Sequence, residues 1–116
     1  MAEILKGNIN DAKTLFRMMN GKCEKLKSIK GEVIDIIGYA IIRQLNAKET
    51  EEVEILYILL EDGRICATNS PTVRRTFDAM VTAFGEPTPE KPLEEIRVFE
   101  AQSKNDRTYL DIDFAD

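Results

Sequence analysis

The stretch from residue 69 to residue 87, NSPTVRRTFDAMVTAFGEP, constrains this chain more than any other. Ser70 can cap a helix by accepting a backbone N–H, Pro71 suits the first helical position where no donor is needed, and Gly85 can take the left-handed conformation that ends it. Between them Val73, Phe77, Met80, Val81 and Phe84 recur at helical spacing, while Arg74, Arg75 and Asp78 fall on the other side. The spacing predicts one amphipathic helix of roughly three to four turns. On either side the residues turn β-branched and aromatic with turn signals between them, so one helix divides three strand-like runs from two.

The first run, EVIDIIGYAIIRQL (Glu32 to Leu45), puts Val33, Asp35, Ile37, Tyr39, Ile41 and Arg43 on one side by strict alternation, and Ile34, Ile36, Gly38, Ala40 and Ile42 on the other. Both sides are substantially apolar, whereas a half-exposed strand alternates more cleanly. The run therefore predicts a long, bent strand serving two parts of a curved sheet, with Gly38 at the bend or bulge. A polar connection over residues 46–52 leads to a second strand, Val53 to Leu60. Asp62-Gly63 then supplies a tight hairpin turn into a third, Arg64 to Thr68. After the helix, Pro87, Pro89 and Pro92 stiffen a linker, Glu94 to Ala101 reads as the fourth strand, and Thr108 to Phe114 as the fifth.

The order β-β-β-α-β-β, preceded by a short N-terminal helix that Asn10 or Asp11 can cap, defines a mainly β chain of the α+β class. It is the connectivity of a five-stranded OB-fold-like Greek-key barrel whose helix closes one end. A sandwich with the helix laid across an open sheet uses the same elements. At 116 residues one domain is expected, with residues 1–30 forming the N-terminal helix and a Lys-rich segment and residues 31–116 the barrel.

Charge is divided the same way. Residues 1–30 carry seven Lys/Arg against three Asp/Glu and residues 31–116 carry nine against eighteen, which together give the net −5. A basic front on an acidic body does not point at nucleic acid globally, so any polyanion must be met by a local groove. In the segment GKCEKLKSIKG, Lys22, Lys25, Lys27 and Lys30 read either as a solvated connection or as a basic rim that positions phosphates. The chain has no histidine, and Cys23 and Cys66 stand far apart, which excludes histidine-based catalysis and a zinc site; no cofactor is expected. Neither a signal peptide nor a membrane-spanning run is evident, so a cytoplasmic protein is the expectation.

The opening LKGNINDAKTLFRMMNG before the Lys-rich segment, the LLEDGRICATNS hairpin leading into the capped helix, and the closing SKNDRTYLDIDF hairpin together resemble small single-stranded DNA-binding proteins of bacteriophages of Gram-positive hosts. The resemblance implies an OB-fold protein that coats single strands during phage DNA replication without chemistry. It also implies that the acidic, aromatic ending DIDFAD recruits replication proteins, although that ending runs on from the fifth strand with no spacer.

Sequence-tolerant binding of single strands needs exposed rings for stacking and cations that follow the backbone. The candidate rings are Tyr39, Tyr57, Phe99 and Tyr109, with Arg43, Arg64, Arg97, Lys104 and Arg107 nearby in sequence, of which Arg43, Arg97, Lys104 and Arg107 are assigned to phosphates. Parity puts Ile96, Val98, Leu110, Ile112 and Phe114 inward, and Arg97, Phe99, Tyr109, Asp111 and Asp113 outward. Tyr39 and Tyr57 share sides with isoleucines and fit a core position as well as a base platform. Two alternatives remain from the residues alone. One is an acidic protein-interaction module or nucleic-acid mimic that inhibits a host enzyme. The other is a metal-dependent nuclease built on Asp111 and Asp113, which project from one face.

Overall fold

The computed structural model describes residues 2–46 and 48–116; Met1, and Ala47 inside the connection expected at residues 46–52, lie outside the described residues. The elements run β1 (Glu3–Gly7), α1 (Ala12–Met19), β2 (Glu24–Lys25), a 3₁₀ turn (Leu26–Ile29), β3 (Val33–Leu45), β4 (Glu52–Leu60), β5 (Ile65–Thr68), α2 (Pro71–Phe84), β6 (Leu93–Gln102) and β7 (Thr108–Phe114). The strands form one sheet in the order β2-β5-β4-β3-β6-β7, with β1 added on β3, curled into a half-barrel.

β3 is the spine. Its start pairs with β6 through Val33, Ile34 and Ile36, and from Ile36 to Leu45 it pairs with β4. Where β6 has diverged, β1 takes its place alongside Ala40 to Arg43. The register against β4 breaks between Ile36 and Gly38. That bulge flips the faces: Ile34 and Ile36 share one core with Tyr39 and Ile41, while Ala40 and Ile42 belong to a second core on the opposite side. Strict alternation along β3 therefore fails at the glycine that was expected to bend it. A Cβ on Gly38 would also come within 2.7 Å of Ile9 Cδ1.

The two cores lie on the two faces of the sheet. On the concave side α2 buries Val73, Phe77 and Met80, with the Tyr39 ring edge-on to Phe77 at 5.0 Å. Each buried side chain of this size contributes roughly 1.5–3 kcal/mol relative to exposure. Ser70 caps α2 by accepting from Val73 N at 3.2 Å. Phe84, expected on the buried stripe, is instead 53% exposed; it lies in the last turn, with its ring edge-on to Phe114. On the convex side α1, capped by Asp11, lays Met18 over Ala40, Ile42, Tyr57 and Ile65. The middle of the sheet is thus covered twice, which accounts for a β3 sequence that is apolar on both sides.

The N-terminal strand is fixed by close approach. A Cβ on Gly7 would lie 2.6 Å from Tyr39 O. Asn8 then extends the ladder with its own side chain, accepting from Tyr39 N at 3.0 Å and donating to Pro87 O at 2.6 Å.

The Lys-rich segment is more than a solvated connection. β2 runs parallel beside β5, matching Glu24 with Cys66 and Lys25 with Ala67, and the 3₁₀ turn drives Leu26 (1% exposed) and Ile29 (4%) into the concave core. With β4 on one side and β2 on the other, β5 has no edge left for β7, and among the described residues no ladder joins the two. The curl stays open at that seam. β7 blunts its free edge with carboxylates: Asp111 Oδ1 accepts from Ile112 N at 2.8 Å and Asp113 Oδ1 from Phe114 N at 2.7 Å.

This packing sets an expectation for stability. Leu26→Ala should lower the unfolding free energy measured by urea titration by roughly 2–5 kcal/mol, as for a central core leucine. Lys27→Ala, one residue on, should stay within about 0.5 kcal/mol of the parent. Equal, small effects would place the 3₁₀ turn outside the core.

Candidate nucleic-acid interface

The four candidate rings separate by burial. Tyr39 is 1% exposed and its hydroxyl donates to Glu86 Oε2; Tyr57 is 2% exposed and donates to Gln44 Oε1 at 2.8 Å. Burial pushes the Tyr57 phenol up to about 12, and burial together with the Glu86 carboxylate pushes Tyr39 up further. Neither ring offers a face to a base, so both leave the set of stacking candidates. The reason is the double cover of the sheet: Tyr39 faces α2 and Tyr57 faces α1. Tyr109 is 38% exposed and Phe99 half-buried, both on the outward side that parity assigned to them. Ile96, Val98 and Ile112 are buried as expected, with Leu110 and Phe114 packed against the same core.

The cations separate by their neighbours. Arg43 is held among Glu3 and Glu54, each at 3.4 Å, and Glu52 at 4.0 Å, which removes it as a free phosphate ligand. Arg74 reaches the same Glu54 at 3.1 Å, and the two guanidiniums, Arg74 first, hold that carboxyl below its usual range. Arg64 is clamped by Asp62 at 2.8 Å and Glu32 at 3.0 Å. Arg97, Lys104 and Arg107 are exposed and form no ion pair among the described residues. On the β6–β7 ladder, however, Arg97 stands opposite Asp113 and Phe99 opposite Asp111. That face alternates ring, cation and acid rather than forming a positive strip.

Asp111 and Asp113 do not converge as a metal pair. Asp111 also accepts from Thr76 Oγ1 of α2 at 2.7 Å, and both carboxylates are turned onto backbone N–H groups. Among the described residues no group of three metal-ligating side chains is found. Phe114 is packed edge-on to Phe84 at 5.3 Å within β7, so the DIDF portion of the acidic ending is part of the sheet rather than a free tip.

The open seam holds what these losses leave. A groove of about 580 Å³ lies between the end of β5 with the start of α2 on one side and the start of β7 on the other. Asn69 and Ser70 form one wall and Thr108 and Tyr109 the other, with Lys25 and Lys27 at the rim. Both lysines are exposed and form no ion pair among the described residues, whereas Lys30 is paired with Glu100 inside the mouth. The first turn of α2 adds the positive end of the helix dipole, although Pro71 has no N–H and the Val73 N–H is already given to Ser70 Oγ. Two cations, one exposed ring and a positive helix end on one concavity can hold a phosphate with a base stacked beside it. The Lys-rich run carried the signal for the rim, but nothing in the sequence tied it to Tyr109, some eighty residues away. Comparison with protein-family models, with characterised proteins and with solved structures returned no match.

Buried phenols give a pH dependence of known sign. A folded-state pKa raised above the unfolded value near 10 contributes stability that is present below about pH 10 and lost as pH rises through about 12 for Tyr57. Tyr57→Phe should therefore lose less stability than the parent between about pH 8 and about pH 11 in urea titrations, even if it starts lower for want of the Gln44 bond. An identical alkaline loss would mean that Tyr57 is not held neutral by the fold.

Proposed function

We propose that the chain is a non-enzymatic single-stranded DNA-binding protein whose ligand crosses the open seam of the half-barrel. Tyr109 and Phe99 stack bases, and Lys25, Lys27, Lys104, Arg107 and Arg97 pair with phosphates. The observation that carries this reading is the union of Lys25, Lys27 and Tyr109 on one groove of about 580 Å³. A net −5 chain offers a polyanion few landing places, and in this concavity Lys25 and Lys27 form no ion pair among the described residues, while the one lining carboxylate, Glu100, is paired with Lys30. The connectivity of three strands, a helix and two strands through β3, β4, β5, α2, β6 and β7 fits the OB-fold order, with the closing ladder replaced by β2. The likeness to phage single-strand binding proteins makes coating of replication intermediates the biological setting of the proposal. Binding across the seam differs from use of the convex face, which α1 covers.

A second reading has its own observation. The Asp35 carboxylate, with Glu94 nearby, holds the Glu61 carboxyl above its usual range, so one rim of the molecule concentrates negative charge. That rim suits an acidic protein-interaction module that mimics nucleic acid.

Fluorescence anisotropy with an unstructured DNA strand of about 30 nucleotides separates the two. Binding should weaken as salt rises, and Lys25→Ala and Lys27→Ala should each reduce the log–log salt slope by about 0.7. Tyr109→Ala should weaken binding by roughly 5- to 150-fold, the equivalent of one stacked base, while Arg75→Ala on the exposed side of α2 should change little. No binding at low salt would remove the proposal and leave the acidic module.

A further inference from the structure

We propose that Phe16, framed by Lys13, Arg17 and Lys22, is a second stacking platform for the same single strand, continuing its path from the seam onto α1. The proposal rests on the single-strand reading above and extends it to a site on the other face of the sheet.

Three observations converge. The first is exposure: Phe16 is 61% exposed, the most exposed large hydrophobic side chain among the described residues, on a helix that already anchors itself through Met18 with Leu15 and Met19. The ring is not needed for packing, and its contact surface is left to solvent. The second is charge. Lys13 and Arg17 stand at i and i+4, where like charges destabilise a helix, and neither they nor Lys22 have an ion-pair partner among the described residues. An arrangement that costs the free helix stability is offset when an anion binds between the charges. The third is shape: these four side chains share one shallow groove of about 560 Å³ with Ala12.

Continuity selects the occupant. Lys22 lines the α1 groove and Lys25 the seam groove, and the three-residue step between them, across Cys23 and Glu24, spans at most about 11 Å. That is about one Debye length at 0.1 M salt, so both clusters act on the same polyanion. An acidic peptide would satisfy the α1 patch alone, but it would not explain why the basic run leads from one groove into the other. A strand seated on Tyr109 and passing Lys25 and Lys27 reaches Lys22, then stacks on Phe16 between Lys13 and Arg17.

The test uses the full chain and labelled oligo-dT strands of about 6 and about 20 nucleotides, within and beyond one site. Phe16→Ala should leave the short strand's affinity near that of the parent and weaken the long strand by roughly 5- to 150-fold; Tyr109→Ala should weaken both. F16W provides an independent readout, since the chain has no tryptophan: its emission should be quenched by the long strand, with affinity retained. If Phe16→Ala binds both lengths like the parent while Tyr109→Ala weakens them, the second platform is wrong and the seam reading stands. If the parent binds neither strand, both readings fall. If a polyglutamate peptide quenches F16W and oligo-dT does not, the patch is a protein-docking site and the proposal is overturned.

Discussion

The structure depends on one strand that changes faces midway. β3 supplies side chains to the concave core before the bulge and, with the opposite parity, after it, so a single segment serves both halves of the curl. Gly38 makes this possible twice over, by permitting the bulge and by leaving room for Ile9 against the convex face. Once β3 is fixed, β4 and β6 have their registers, α2 has its floor and α1 its bed. Because both faces are buried, slipping the register by one residue would move two apolar sets at once, and the pairing is correspondingly well specified.

The N-terminal segment then decides what kind of opening the molecule has. A sheet of this connectivity can close on itself by pairing β5 with β7. Here the short β2 takes the edge of β5, and Leu26 and Ile29 enter the core from above, so closure by a ladder is forestalled. The gap is not filled by apolar packing. It is bordered by lysines from the same segment, by the start of α2 and by Tyr109, while the β7 edge beyond it is sealed by Asp111 and Asp113. A structural role for the apolar residues of the segment and a binding role for its lysines are therefore compatible, since Leu26 and Ile29 point in while Lys25 and Lys27 stay out.

Much of the fold was legible because it is written locally. Ser70, Pro71 and Gly85 delimit α2, Asp11 caps α1, Asp62-Gly63 turns β4 into β5, and Gly38 marks the bulge. What local pattern could not convey is which side of each strand is covered. Tyr57 fitted a core position and a base platform equally, because nothing in its own strand says that a helix forty residues earlier lies across it, and Tyr39 reversed sides with the bulge. Arg43 read as an available cation because its neutralising partners, Glu3 and Glu54, come from strands on either side of it. Lys25 and Lys27 were visible as charges, but their meeting with Tyr109 exists only in three dimensions. Alternation held from Ile96 onward in β6 and along β7, which pair with each other without a bulge, whereas at Glu94 and Glu95 β6 bulges against β3 and breaks it.

The most direct test is residue-resolved. In an amide ¹H–¹⁵N spectrum of the labelled chain titrated with unlabelled oligo-dT, the account predicts that the changes concentrate at Lys25, Lys27, Asn69, Ser70 and Tyr109, the borders of the seam. Changes confined to the Asp35–Glu61 rim, or to the far ends of β6 and β7 with the seam silent, would contradict it.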